Sequence, residues 1–188
     1  MKENMKCIVN GQALSKTEFN RQKEYLKASF NQRQMEWKEE EIENLALEQM
    51  IGQALLLQEA GKKEIKPSAE KIEQNVENVR SQFSTEEEFN QALESQNMTL
   101  EQLEADISKE LSVNDFLEQT IPREETVVTE EEISAFYEQY KANAGDQAQS
   151  LELVKGQIEQ ILSQQKVGHA IGKVVEKLKT ESQIETFI

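Results

Sequence analysis

Few residues in this chain could do covalent chemistry. It has one histidine, His169, and one cysteine, Cys7, far apart among 188 residues. A Cys–His nucleophile or a zinc site needs such groups clustered, so no catalytic residue and no metal is expected. Thirty-six acids place carboxylates close together by chance and identify no acid/base pair. Gly61-Lys62-Lys63 lacks the upstream glycine spacing and the Ser/Thr of a phosphate-binding loop, so ATP and other cofactors are not expected either. His169, between Gly168 and Ala170 on a helical pattern, reads as a surface or groove residue.

The side chains suited to work are those that make contacts. Methionine adapts its shape, and aromatic rings supply large contact areas. Phe30, Met35, Trp37, Met50, Phe83, Met98, Tyr137 and Tyr140 are the candidates for a surface that holds a polypeptide. The same residue types also build ordinary cores, and spacing alone does not separate the two uses. Trp37 stands out because its neighbours, Met35-Glu36 and Lys38-Glu39, are mostly polar.

Composition narrows the partners. The net charge of −15 repels nucleic acid and anionic membranes, and no basic cluster offsets it. Basic or unfolded polypeptides remain. Only 37% of residues are hydrophobic and the mean hydropathy is −0.72, which suits helices that bury a stripe in an elongated body. A single cysteine cannot form an internal disulfide. No run reaches membrane-spanning length, and the N-terminus has no signal-like apolar core. The reading is therefore a cytoplasmic protein or one whose signal has been removed.

The elements that must position these residues are mostly helices. Ile8-Val9-Asn10-Gly11-Gln12-Ala13-Leu14 reads as two short strands around an Asn-Gly turn. Ser15 to Glu18 is a capping box opening a helix to about Gln34. A second helix is expected from about Met35 to Ala60, with Gly61 as its stop. Pro67-Ser68, Ser84-Thr85, Thr99-Leu100-Glu101-Gln102 and Thr129-Glu130-Glu131-Glu132 mark four further helix starts. Lys141 to Ser150 reads as a link, Leu151 starts a long last helix, and Ile184 to Ile188 alternates like a strand. The first strand, around Cys7-Ile8-Val9, is expected to pair with this last one, because isolated short strands are marginal.

The order of these pieces resembles the SurA/PrsA/PpiD family of extracytoplasmic chaperone-foldases. Val9-Asn10-Gly11, Leu14-Ser15 and Phe19 match that family's opening. Leu47 to Ala60 matches its apolar second helix. Ile65-Lys66-Pro67-Ser68 matches its turn, with Glu64 where the family has glycine. Phe89, Leu93, Met98, Thr99 and Leu103, then Val128-Thr129, Glu132-Ile133 and Phe136-Tyr137, continue the match. In the foldases a parvulin prolyl-isomerase domain follows that last stretch. Here ten residues stand in its place, and parvulin sites use more than one histidine.

The resemblance implies a mostly helical SurA-like fold, related to the trigger factor chaperone lobe, with a small β element made by the two ends. It implies one module over 1–188: a hairpin and helical lobe at 1–140, a link at 141–150, and a helix with closing strand at 151–188. It implies an ATP-independent holdase for unfolded or nascent chains, without isomerase activity and usually extracytoplasmic. A homodimer by exchange of terminal strands is a further possibility. The alternative is a helical scaffold or adaptor for one folded partner.

Overall fold

The computed structural model describes residues 5–95 and 98–187. The chain folds as β1 (Met5–Val9), β2 (Gln12–Ser15), α1 (Lys16–Gln32), α2 (Glu39–Lys62), α3 (Ala69–Arg80) and α4 (Glu86–Ser95). It continues as α5 (Leu100–Thr120), α6 (Glu130–Ala144), α7 (Leu151–Thr180) and β3 (Ile184–Thr186). It is predominantly helical, as the capping signals and the scarcity of proline require. No described helix is long and apolar enough to cross a membrane.

The strands form one antiparallel sheet in the order β2-β1-β3. Asn10 and Gly11 both take positive φ, 50° and 84°, as a two-residue type I′ turn demands. The two ends of the chain meet within one molecule: Cys7 lies opposite Thr186, Ile8 opposite Glu185 and Val9 opposite Ile184. Beyond that ladder the Phe187 amide donates to the Lys6 carbonyl at 2.8 Å. Side-chain alternation along β1 turns Cys7 and Val9 inward, both fully buried.

Four helix starts follow from local chemistry. The Ser15 hydroxyl accepts from the Glu18 amide at 3.1 Å, while the Glu18 carboxylate accepts from the Ser15 amide at 2.8 Å. Ser68 accepts from the Lys71 amide. Thr99 and Gln102 cap α5 reciprocally, as do Thr129 and Glu132 for α6. Such a cap is worth about 1 kcal/mol.

Three helix boundaries differ from the sequence expectation. α6 takes in 141–144 of the expected link and ends only at Gly145, φ 56°. The other two belong to the second helix. It starts at Glu39, not Met35, because the chain turns at 33–34 and then runs through 35–38 outside any helix, carrying Trp37 onto the core. It also runs past Gly61 to Lys62. The residue in left-handed conformation is Glu64, φ 55°. The Ile65 amide then donates back to the Ala60 carbonyl and the Glu64 amide to Gly61, both at 3.0 Å, which is a Schellman cap. α1 ends in the same way, with Gln34 at φ 56° and Met35 donating to Phe30 at 2.9 Å.

The chain divides into two compact units, one of residues 1–116 and 178–188, the other of residues 117–177. The core of the first gathers Cys7, Val9 and Leu14 from the sheet, Phe19 and Leu26 from α1, and Ile42, Met50, Ile51 and Leu55 from α2. A contact between Lys179 and Glu48 adds to the anchoring of the chain's end here. In the second unit Ile133 packs with Val154 and Ile158, so α6 lies along α7.

Candidate functional site

The second unit, residues 117–177, is built on the end of α5, α6 and all but the last turn of α7. Its helices are held by polar contacts as well as by the apolar seam. Glu132, already bonded to the Thr129 amide, also accepts from Lys166 Nζ at 2.7 Å. These two bonds, the lysine first, hold its carboxyl below the usual carboxylate range. Glu130 pairs with Lys155 at 2.6 Å and Glu125 with Lys173 at 3.0 Å. The 145–150 connection is pinned by two tyrosines. Tyr137 Oη donates to the Gln149 carbonyl at 3.0 Å, and the Gln149 amide donates to Tyr140 Oη at 3.2 Å.

Two grooves open on this unit. One, about 520 Å³, is lined by Phe136, Gln139, Tyr140, Asn143 and Ala144. None of these carries a charge, and they combine ring faces with side-chain amides. The other, about 390 Å³, is lined by Glu125, Glu132, Gln165, Lys166, His169 and Lys173, whose charges are largely spent on each other. His169 is thus an exposed groove residue. Large apolar side chains are exposed on the same unit: Leu153 is 73% exposed, Ile161 41% and Val167 38%. Leu153, Gln157, Gln160, Gln164 and Val167 recur at steps of four and three, which puts them on one face of α7 without a charge. In a chain with 30% charged residues that is a conspicuous face.

The eight sequence candidates occupy different settings. Met35 is half exposed and Met50 is buried in the core of the first unit. Phe30 and Trp37 pack partly buried against that core, and the Trp37 indole N–H donates to Asn31 Oδ1 at 2.9 Å. Phe83 meets Phe89 edge to face at 5.7 Å, and Met98 is partly buried. Tyr137 and Tyr140 pack on the second unit's core, with Tyr140 also lining the uncharged groove. Ile161 and Val167 read from the sequence only as apolar positions of the last helix, and neither they nor Leu153 stand among the binding candidates. Their signal was present as a second, uncharged stripe beside Val154 and Ile158.

Residues 3–117 match the family model of the SurA-like N-terminal domain. The chain belongs to the SurA-like N-terminal domain family. A solved structure similar in fold comes from a description of the virulence factor PEB4 and the periplasmic protein Cj1289 of Campylobacter jejuni as two structurally related SurA-like chaperones. It aligns over 98% of this chain and 99% of that one, with a TM-score of 0.62 and 13% identity. No curated protein matches the chain. The SurA-like match covers the first unit apart from its 178–188 segment, whereas the uncharged groove and the bare α7 face lie on the second. Among the described residues no cluster of His, Cys, Asp or Glu could hold a metal ion.

Proposed function

We propose that this SurA-like chain is an ATP-independent holdase that binds non-native polypeptide segments on its second unit. The observation that carries the reading is the uncharged surface there: the Phe136–Tyr140 groove and the exposed Leu153, Ile161 and Val167. An unfolded segment would lay apolar side chains on these surfaces, gaining about 25 cal/mol per Å² before ordering costs. Gln139 and Asn143 can meet its peptide groups, since an amide both donates and accepts. Such recognition is broad and weak, on the order of micromolar, or about −8 kcal/mol. Release needs no nucleotide, because folding hides the apolar surface of the client. Membership of the family and the chaperone description of the structural neighbour support this reading and an extracytoplasmic place for it.

The chain is expected to leave prolyl isomerisation uncatalysed. Only residues 145–150 separate α6 from α7, where the foldases it resembles insert their isomerase domain. The uncatalysed step takes tens to hundreds of seconds. A proline-limited refolding reaction should proceed at that rate with or without the chain, and acceleration would refute the expectation. The binding proposal itself is tested by substituting Leu153, Ile161 and Val167 together with serine. Suppression of client aggregation should fall while the fold, followed by circular dichroism, stays intact. Full suppression by the folded triple variant would rule this surface out.

A further inference from the structure

At the hairpin tip, Asn10 ties together three segments distant in sequence. Its amide N–H donates to the Gln183 carbonyl at 2.8 Å, and the Gln183 amide donates to Asn10 Oδ1 at 2.9 Å. Asn10 Nδ2 donates to Gln58 Oε1 on α2 at 2.9 Å and to Ser182 Oγ at 3.1 Å. Gln58 Nε2 donates in turn to the Val9 carbonyl and to Gln12 Oε1, both at 3.0 Å. The Asn10 carboxamide therefore has its oxygen and both N–H groups engaged, and the partners include the two residues that lead into β3. The residue after Asn10 is Gly11, with open space where a Cβ would stand. Asn10 is itself exposed to water.

We propose that Asn10–Gly11 is a deamidation site gated by closure of the chain ends. With no side chain on Gly11 to shield it, that residue's amide nitrogen can attack Asn10 Cγ once the carboxamide is free to turn. The N–Cγ bond forms, the Cγ–Nδ2 bond breaks, and ammonia leaves with the amide proton. Water then opens the cyclic imide at either carbonyl, giving aspartate or isoaspartate. While the clasp is closed, the turn toward Gly11 requires breaking the bonds to Gln58, Ser182 and Gln183. When β3 leaves, Ser182 and Gln183 leave with it, and of the three restraints only the single bond to Gln58 remains.

The product cannot remake the bond to Gln58 Oε1 that joins the hairpin tip to α2. Aspartate has no Nδ2 donors and sets a carboxylate oxygen against Gln58 Oε1, while the Ser182 hydroxyl can turn to donate to it. Gln58 could donate to it only by giving up Val9 and Gln12. Isoaspartate also lengthens the backbone of a two-residue turn. Each opening of the chain ends thus carries a chance of becoming permanent.

The test uses the full chain held at mildly alkaline pH in buffer and in denaturing urea. The N-terminal peptide is followed for the mass gain of deamidation and for isoaspartate. Conversion should be at least about tenfold slower in the folded protein, equivalent to an opening free energy of about 1.4 kcal/mol or more. Folded Ser182→Ala should convert faster than the parent. Asn10→Asp should lower the melting temperature and speed amide exchange at 184–187. Equal rates in buffer and urea, no conversion in either, a parental rate in Ser182→Ala, or parental melting and exchange in Asn10→Asp would each overturn the proposal.

Discussion

Gln34 and Glu64 stand at φ 56° and 55°, a conformation that L side chains occupy at a cost of roughly 1–2 kcal/mol. Each closes a Schellman cap where glycine is the usual residue. Replacing either by glycine relieves that strain and adds unfolded-state freedom in partial opposition. Glu64→Gly and Gln34→Gly should each stabilise the chain by about 0.5–1 kcal/mol, read from urea unfolding; destabilisation would contradict the cap geometry. Sequence reasoning placed the stop at Gly61 because glycine is the common signal. What decides the end is instead the backward bond from Ile65 to Ala60, which composition does not reveal. The N-terminal caps were legible because each is a hydrogen bond between residues three apart.

Those caps also set a pH response. The Ser15 hydroxyl, then the Ser15 amide, hold the Glu18 carboxyl below its ordinary range. A carboxyl lowered in the folded state contributes stability above its unfolded pKa and loses it as pH falls through the folded one. Stability should therefore drop on the acid side of the carboxylate range. Glu18→Gln keeps the geometry of the box without the titrating charge, so its acid limb should be shallower in melting curves taken across that range. An unchanged limb would mean that other carboxylates carry the effect.

Among the elements, the β2-β1-β3 sheet depends on both ends of the chain. Removing residues 184–188 deletes the β1–β3 ladder and the Phe187–Lys6 bond, at roughly 0.5–1.5 kcal/mol per hydrogen bond. It also uncovers part of a core on which Ile184 packs. The melting temperature should fall by several degrees, given about 2–4 °C per kcal/mol for a chain of this size. A parental melting curve would show the pairing to be unimportant. That the first and last strands meet was legible, since neither can stand alone. Which helix faces remain bare was not. α7 carries two stripes, one at Val154 and Ile158 and one at Leu153 and Val167, and only the packing of α6 decides which is covered. For the same reason Met50 and Met35, alike in sequence, end respectively in the core and half exposed.

Over the whole molecule, the −15 charge and the uncharged surface of the second unit have complementary roles. Charge keeps chaperone and bound client dispersed, while contact rests on apolar area and amide groups. Binding held by burial resists salt, whereas binding steered by charge is screened over about 8–10 Å at physiological ionic strength. The measurement that tests the account most directly is light scattering from denatured, aggregating proteins of unrelated sequence, with and without equimolar chain, at low and high salt. The holdase reading predicts that scattering is suppressed for several clients, without nucleotide and with little salt dependence. No suppression of any client, together with tight binding to one native partner, would contradict it and establish the adaptor reading instead.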